Sequence, residues 1–102
     1  MDMHQRLKFI EAENKFMEEC GDWINNTRNL EMVFDTMDEN DIKYAIKCDN
    51  KVIKNIGLLF SLYANAMNKE EFEKYKGMVF FYEERINRLF KQLNELNEKY
   101  TK

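Results

Sequence analysis

A chain of 102 residues has room for one domain, and eight Phe, five Tyr and one Trp argue against disorder despite 34% charged residues. With no proline and only Gly21, Gly57 and Gly77, a fold of many short strands joined by tight turns is excluded, whereas long helices are easily made. The net charge of −3 speaks against a protein built as a whole to grip nucleic acid.

That charge is unevenly spread. Residues 1–41 hold eleven acids against four bases, residues 42–67 only Asp49 against four lysines, and residues 68–102 seven acids against eight bases. An acidic first third beside a basic middle predicts charge pairing within the fold or across an oligomer.

The first helical pattern repeats Phe9, Phe16, Trp23, Leu30 and Met37 every seven residues, broadened by Ile10, Met17, Cys20, Ile24, Thr27 and Phe34. Its unbroken phase predicts one long helix over 3–38. Gly21 and Asp22 could instead end one helix and cap the next, with Asn25, Asn26 and Asn29 as further poor formers. Residues 38–41 read as a loop, with Asp41 the N-cap of a second helix over 42–67. The stripe of that helix is Ile42, Ile46, Asp49, Ile53, Ile56, Phe60, Tyr63 and Met67, interrupted only by Asp49. A buried carboxylate is costly unless paired. The favoured reading places Asp49 at an edge reaching solvent. The alternative is a polar core contact that sets helix register, partnered by a nearby lysine or by Arg85 or Arg88, or a ligand contact.

Asn68, with Glu71 three residues on, resembles a capping box opening a third helix over 69–100. The short turn before it makes helices two and three an antiparallel hairpin. The third helix carries the most regular pattern in the chain: Phe72, Tyr75, Val79, Tyr82, Ile86, Leu89, Leu93, Leu96 and Tyr100 at alternating spacings of three and four. Such a seam predicts burial against another helix with a left-handed supercoil. The fold class predicted is therefore all-α: a single elongated bundle of three long helices, or four if the first breaks near Gly21, with a C-terminal coiled-coil seam. Helices of unequal length would leave the end of that seam wet in a monomer, which predicts a homodimer or larger oligomer formed through the third helix.

Residue chemistry points away from catalysis. The only histidine is His4, whereas a catalytic zinc site commonly takes three His, Cys or carboxylate ligands. The acidic run from Asp35 to Asp41 fails as a calcium loop, because Lys43 stands where that loop needs glycine. Cys20 and Cys48 lack a histidine base and read as small buried residues in reduced, cytoplasmic surroundings. Adjacent acids (Glu18 with Glu19, Glu70 with Glu71, Glu83 with Glu84) diverge by about 100° on a helix and do not converge on a substrate. No apolar stretch is long enough to span a membrane and the N-terminus lacks the apolar core of a signal peptide. No metal or cofactor is expected.

Two features remain as contact candidates besides the seam. Phe80 and Phe81 lie on the far side of the third helix from the seam, covered there by helix one or forming an exposed contact patch. Lys43, Lys47, Lys51 and Lys54 line one flank of helix two and could hold an anion or an acidic partner, or answer the acids of helix one. The expected function is a non-catalytic protein-binding regulator (adaptor, chaperone or stoichiometric inhibitor) acting as a homo-oligomer on an unidentified protein partner. The alternative is an oligomeric protein that binds or sequesters a small anionic ligand or nucleotide, as a phage-encoded counter-defence protein would.

Overall fold

The computed structural model describes residues 2–101, with side chains as far as Lys99; the predicted seam residue Tyr100 lies outside the described side chains. The described chain is helical with no strand, and measures 60 × 20 × 19 Å. Helix α1 runs Met3–Asn26, a 3-10 segment Leu30–Thr36, α2 Glu39–Tyr63, a single 3-10 turn Ala64–Ala66, and α3 Lys69–Thr101. An all-α elongated bundle is what the periodicity predicts.

Each boundary has a local chemical cause. Asp2 caps α1 by accepting from the His4 backbone N–H at 2.9 Å. The helix passes straight through Gly21 and ends at Asn26, so the expected helix over 3–38 is too long and the expected weak point lies five residues too early. The end is made at Thr27, whose hydroxyl and backbone N–H both donate to the carbonyl of Trp23, at 2.5 and 3.1 Å. Asp38, not Asp41, caps α2, which therefore begins at Glu39 rather than residue 42. Asp41 is the reciprocal member of a capping box: its N–H donates to the Asp38 carboxylate at 2.8 Å and its own carboxylate accepts from the Asp38 N–H at 3.3 Å. The box predicted at the start of α3 is present, with the Glu71 N–H donating to Asn68 at 2.8 Å and the Asn68 N–H to Glu71 at 2.9 Å.

The α2–α3 hairpin is the most extensive packing in the molecule, and α1 lies along it, closer to α2 than to α3. Two apolar clusters result. One joins α1 to the hairpin through Phe9, Phe16, Cys20, Val52, Ile56, Leu59, Tyr75 and Tyr82. The other lies where α1 has ended: Ile42, Ala45, Ile46, Ile86 and Leu89 are covered by Met37 with Leu30 and Phe34 of the 3-10 segment. Between the two clusters sits a polar waist.

Candidate functional site

That waist is built on Asp49 and Arg85, 0% and 1% exposed. Arg85 Nε donates to Asp49 Oδ2 at 2.8 Å and Nη2 to Oδ1 at 2.6 Å, a two-point grip matched to the carboxylate plane. The Trp23 indole N–H donates to the same Oδ1 at 2.8 Å. The other edge of the guanidinium donates to the Thr27 carbonyl at 2.5 Å and hydroxyl at 3.1 Å, so one cation satisfies the carboxylate of α2 and the open C-terminal end of α1. The rings of Trp23, Phe81 and Tyr82 stand 5.9, 5.4 and 4.9 Å from the guanidinium carbon. Asp49 is thus a core residue and not an edge residue, and of the partners open to it Arg85 is the one that reaches. No buried side-chain nitrogen or oxygen among the described residues lacks a partner. The contacts of the waist tie α1, α2 and α3 together.

The predicted seam is largely internal to the chain. Tyr75, Tyr82, Ile86 and Leu89 are buried, and Val79, Leu93 and Leu96 are half-buried against the two clusters. Of the described seam residues only Phe72 stands at the rim, its ring edge-on to Phe60 at 5.2 Å. These side chains hold α3 to its own hairpin, and at the described end of the seam Leu93 and Leu96 pack on the second cluster, which Leu30 and Phe34 of the 3-10 segment also meet.

Phe80 and Phe81 are not covered by α1: they are 66% and 42% exposed. Phe81 is held from beneath, its ring edge-on to Tyr82 at 5.1 Å and against the Arg85 guanidinium. The lysines of α2 are all exposed. Lys43 pairs with Glu39 one turn earlier at 2.7 Å, whereas Lys47, Lys51 and Lys54 make no ion pair among the described residues. Of the pairing expected between the acidic first third and these lysines, the contact of Lys43 with Glu39 is the one made among the described residues. The ion pairs that join distant segments use arginine instead: Arg6 with Glu71, Arg88 with Glu31, and Arg85 with Asp49.

Two open grooves run between α1 and α2. One, of about 480 Å³, is lined by Glu19, Asp22, Trp23, Tyr44, Lys51 and both thiols; the other, of about 430 Å³, by Ala12, Lys15, Phe16, Leu58, Leu62 and Tyr63. Cys20 is buried and accepts from the Asn55 amide at 3.3 Å. Cys48 lies two turns before Asn55 on α2 and one turn after Tyr44, whose phenol it raises in pKa. Elsewhere, burial first and the Glu13 carboxylate second raise the Tyr75 phenol, and burial raises Tyr82. The Arg6 guanidinium holds the Glu71 carboxyl below its ordinary range. Among the described residues no group of three His, Cys, Asp or Glu side chains is placed to hold a metal ion, and no helix is long and apolar enough to cross a membrane.

Neither the family models, the curated proteins nor the solved structures with which the chain was compared gave a match.

Proposed function

We infer that this chain is a non-catalytic binding module, an adaptor, chaperone or stoichiometric inhibitor, that engages a partner protein through Phe80 and Phe81. The observation behind this reading is a pair of adjacent phenyl rings exposed midway along a well-packed helix, one of them already held in place by Tyr82 and Arg85. Large aromatic side chains that lose little freedom on binding are what interface anchors are made of. Two reduced thiols suit a cytoplasmic setting.

The test is replacement of both rings, Phe80→Ser with Phe81→Ser, followed by affinity capture from host extract and by thermal melting. Loss of a reproducibly retained protein, with the melting temperature unchanged, supports the reading. A lower melting temperature with capture unaltered makes these rings part of the core and ends it.

The lysine row favours a second reading, because Lys47, Lys51 and Lys54 are exposed and without an ion pair among the described residues. An anionic ligand or nucleotide held there would raise the melting temperature of the wild type and not of a Lys47→Glu/Lys51→Glu variant. Equal response in both proteins removes this alternative.

A further inference from the structure

The face that α1 and α2 turn away from α3 carries two parallel rows of opposite charge. On α1 the row is Glu18, Glu19 and Asp22, all exposed; on α2 it is Lys47, Lys51 and Lys54, also exposed. Neither row makes an ion pair among the described residues. Two contacts fix their relative height: the Trp23 indole meets Asp49 at 2.8 Å and the Asn55 amide meets Cys20 at 3.3 Å. Since α1 and α2 are antiparallel, the acidic turn 18–22 lies level with the lysine stretch. The groove lined by Glu19, Asp22 and Lys51 separates the rows within one chain. Further along the same face Leu58 and Leu62 are exposed beside the second groove.

The geometry points to a second copy of this chain as the occupant of this face, stacked about a two-fold axis parallel to the helices. That operation lays α1 of one copy on α2 of the other without changing height. Glu18 and Asp22 then meet the partner's Lys51 and the partner's Lys54, and the same contacts form again on the other side of the axis. Leu58 and Leu62 close on the partner's α1 where it carries the small side chain of Ala12. A two-fold axis across the helices would lay α1 on α1 and bring acids against acids, so charge selects the parallel axis. With α1 about 36 Å long and the molecule 20 Å wide, each copy offers a face of roughly 700 Å², close to the ~800 Å² per partner of a stable complex. Phe80 and Phe81 lie on α3, outside this face, so the dimer stands or falls independently of the partner-binding reading.

The experiment is a charge exchange read by native mass spectrometry and light scattering. The wild type forms a dimer of twice the 12.5 kDa chain mass, and its dissociation constant rises with added salt. Glu18→Lys with Asp22→Lys makes both rows basic; Lys51→Glu with Lys54→Glu makes both acidic. Each variant alone has its dissociation constant raised by roughly tenfold or more through like-charge contact. Mixing the two variants restores a heterodimer, because a basic chain on an acidic one recreates both sets of contacts. All four positions are exposed and the helical circular dichroism signal is expected to persist; the salt titration of the wild type needs no variant. A wild type that is monomeric at all accessible concentrations overturns the proposal. So does dimerisation insensitive to salt and charge reversal, or a mixture that yields no heterodimer. A dimer abolished by Phe80→Ser/Phe81→Ser moves the interface to α3 and overturns it as well.

Discussion

Replacing Arg85 by Met is the sharpest test of how the waist holds this fold. Methionine keeps most of the apolar stem but removes every donor, leaving Asp49 as an uncompensated carboxylate in a site with no access to water. Breaking a buried pair in this way costs about 3–5 kcal/mol; the Thr27 carbonyl keeps the Leu30 N–H as a donor at 3.2 Å and is not orphaned. A domain of this size has about 5–15 kcal/mol in all, so the variant should lose a large share of its stability and melt lower by roughly 15–30 °C. Asp49→Leu alone should cost a similar amount, because it leaves the guanidinium buried instead. The double variant Asp49→Leu/Arg85→Met orphans only the Trp23 indole N–H, because the Thr27 carbonyl still accepts from the Leu30 N–H at 3.2 Å. Trp23 is only half-buried, so water can satisfy its N–H, and the double change should cost about 1–2 kcal/mol. Urea unfolding followed by circular dichroism measures the cycle, with Trp23 fluorescence as a second probe that sits inside the waist. A cost below about 1 kcal/mol for Arg85→Met, or a double variant no more stable than either single one, would falsify the assignment of the pair as the contact that sets register.

Tyr75 and Tyr82 hold their protons more tightly in the folded chain than in the unfolded one, through burial in both cases and then, at Tyr75, the Glu13 carboxylate. Raised folded-state values mean that the stability they supply is whole below their ordinary value of 10.0 and is lost as pH rises beyond it. Melting temperature should therefore fall from pH 10 upward in the wild type and fall less in a Tyr75→Phe/Tyr82→Phe variant; parallel curves would discard that cause. Gly57 and Gly77 lie inside helices, and a methyl group added at either meets nothing within 4 Å. Alanine at each should stabilise by about 0.5–1 kcal/mol, and a drop in melting temperature for either would show that these helices are more constrained than their packing indicates.

How far the fold could be read in advance depended on the range of the interaction that decides each feature. The Asn68–Glu71 box is four residues of local chemistry, and it was legible. The end of α1 was not, since the phase of Phe9, Phe16, Trp23, Leu30 and Met37 continues unbroken past Thr27. It continues because the 3-10 segment follows the same side of the hairpin, with Leu30 and Phe34 still packed against the cluster that holds Ile86 and Leu89. What ends the helix is partly Arg85, 58 residues later, taking the Thr27 carbonyl. Asp49 shows the same limit: the pattern marked it as anomalous and offered Arg85 among its partners, but only the packing of α3 decides between a wet edge and a sealed pair. The exposed phenyl rings of Phe80 and Phe81 likewise depended on where α1 lies. Position on the helical wheel cannot tell a surface from a second core.

The segment lengths show how much of α3 its own chain can cover. α3 spans about 50 Å at 1.5 Å per residue, while α1 alone reaches about 36 Å. At about 2.0 Å per residue the 3-10 segment adds roughly 14 Å, and the two together match α3. A continuous first helix of the predicted length would reach about as far and would keep Leu30 and Phe34, four residues apart, on one face; what accompanies the break is the contact of Arg85 with the Thr27 carbonyl and hydroxyl. The break at Thr27 thus comes with a buried arginine, which must be matched by Asp49. The two contact surfaces proposed are the unpaired charge of α1 and α2 and the two exposed rings of α3. These lie on different faces, so one face can bind a second copy while the other remains open to a different protein.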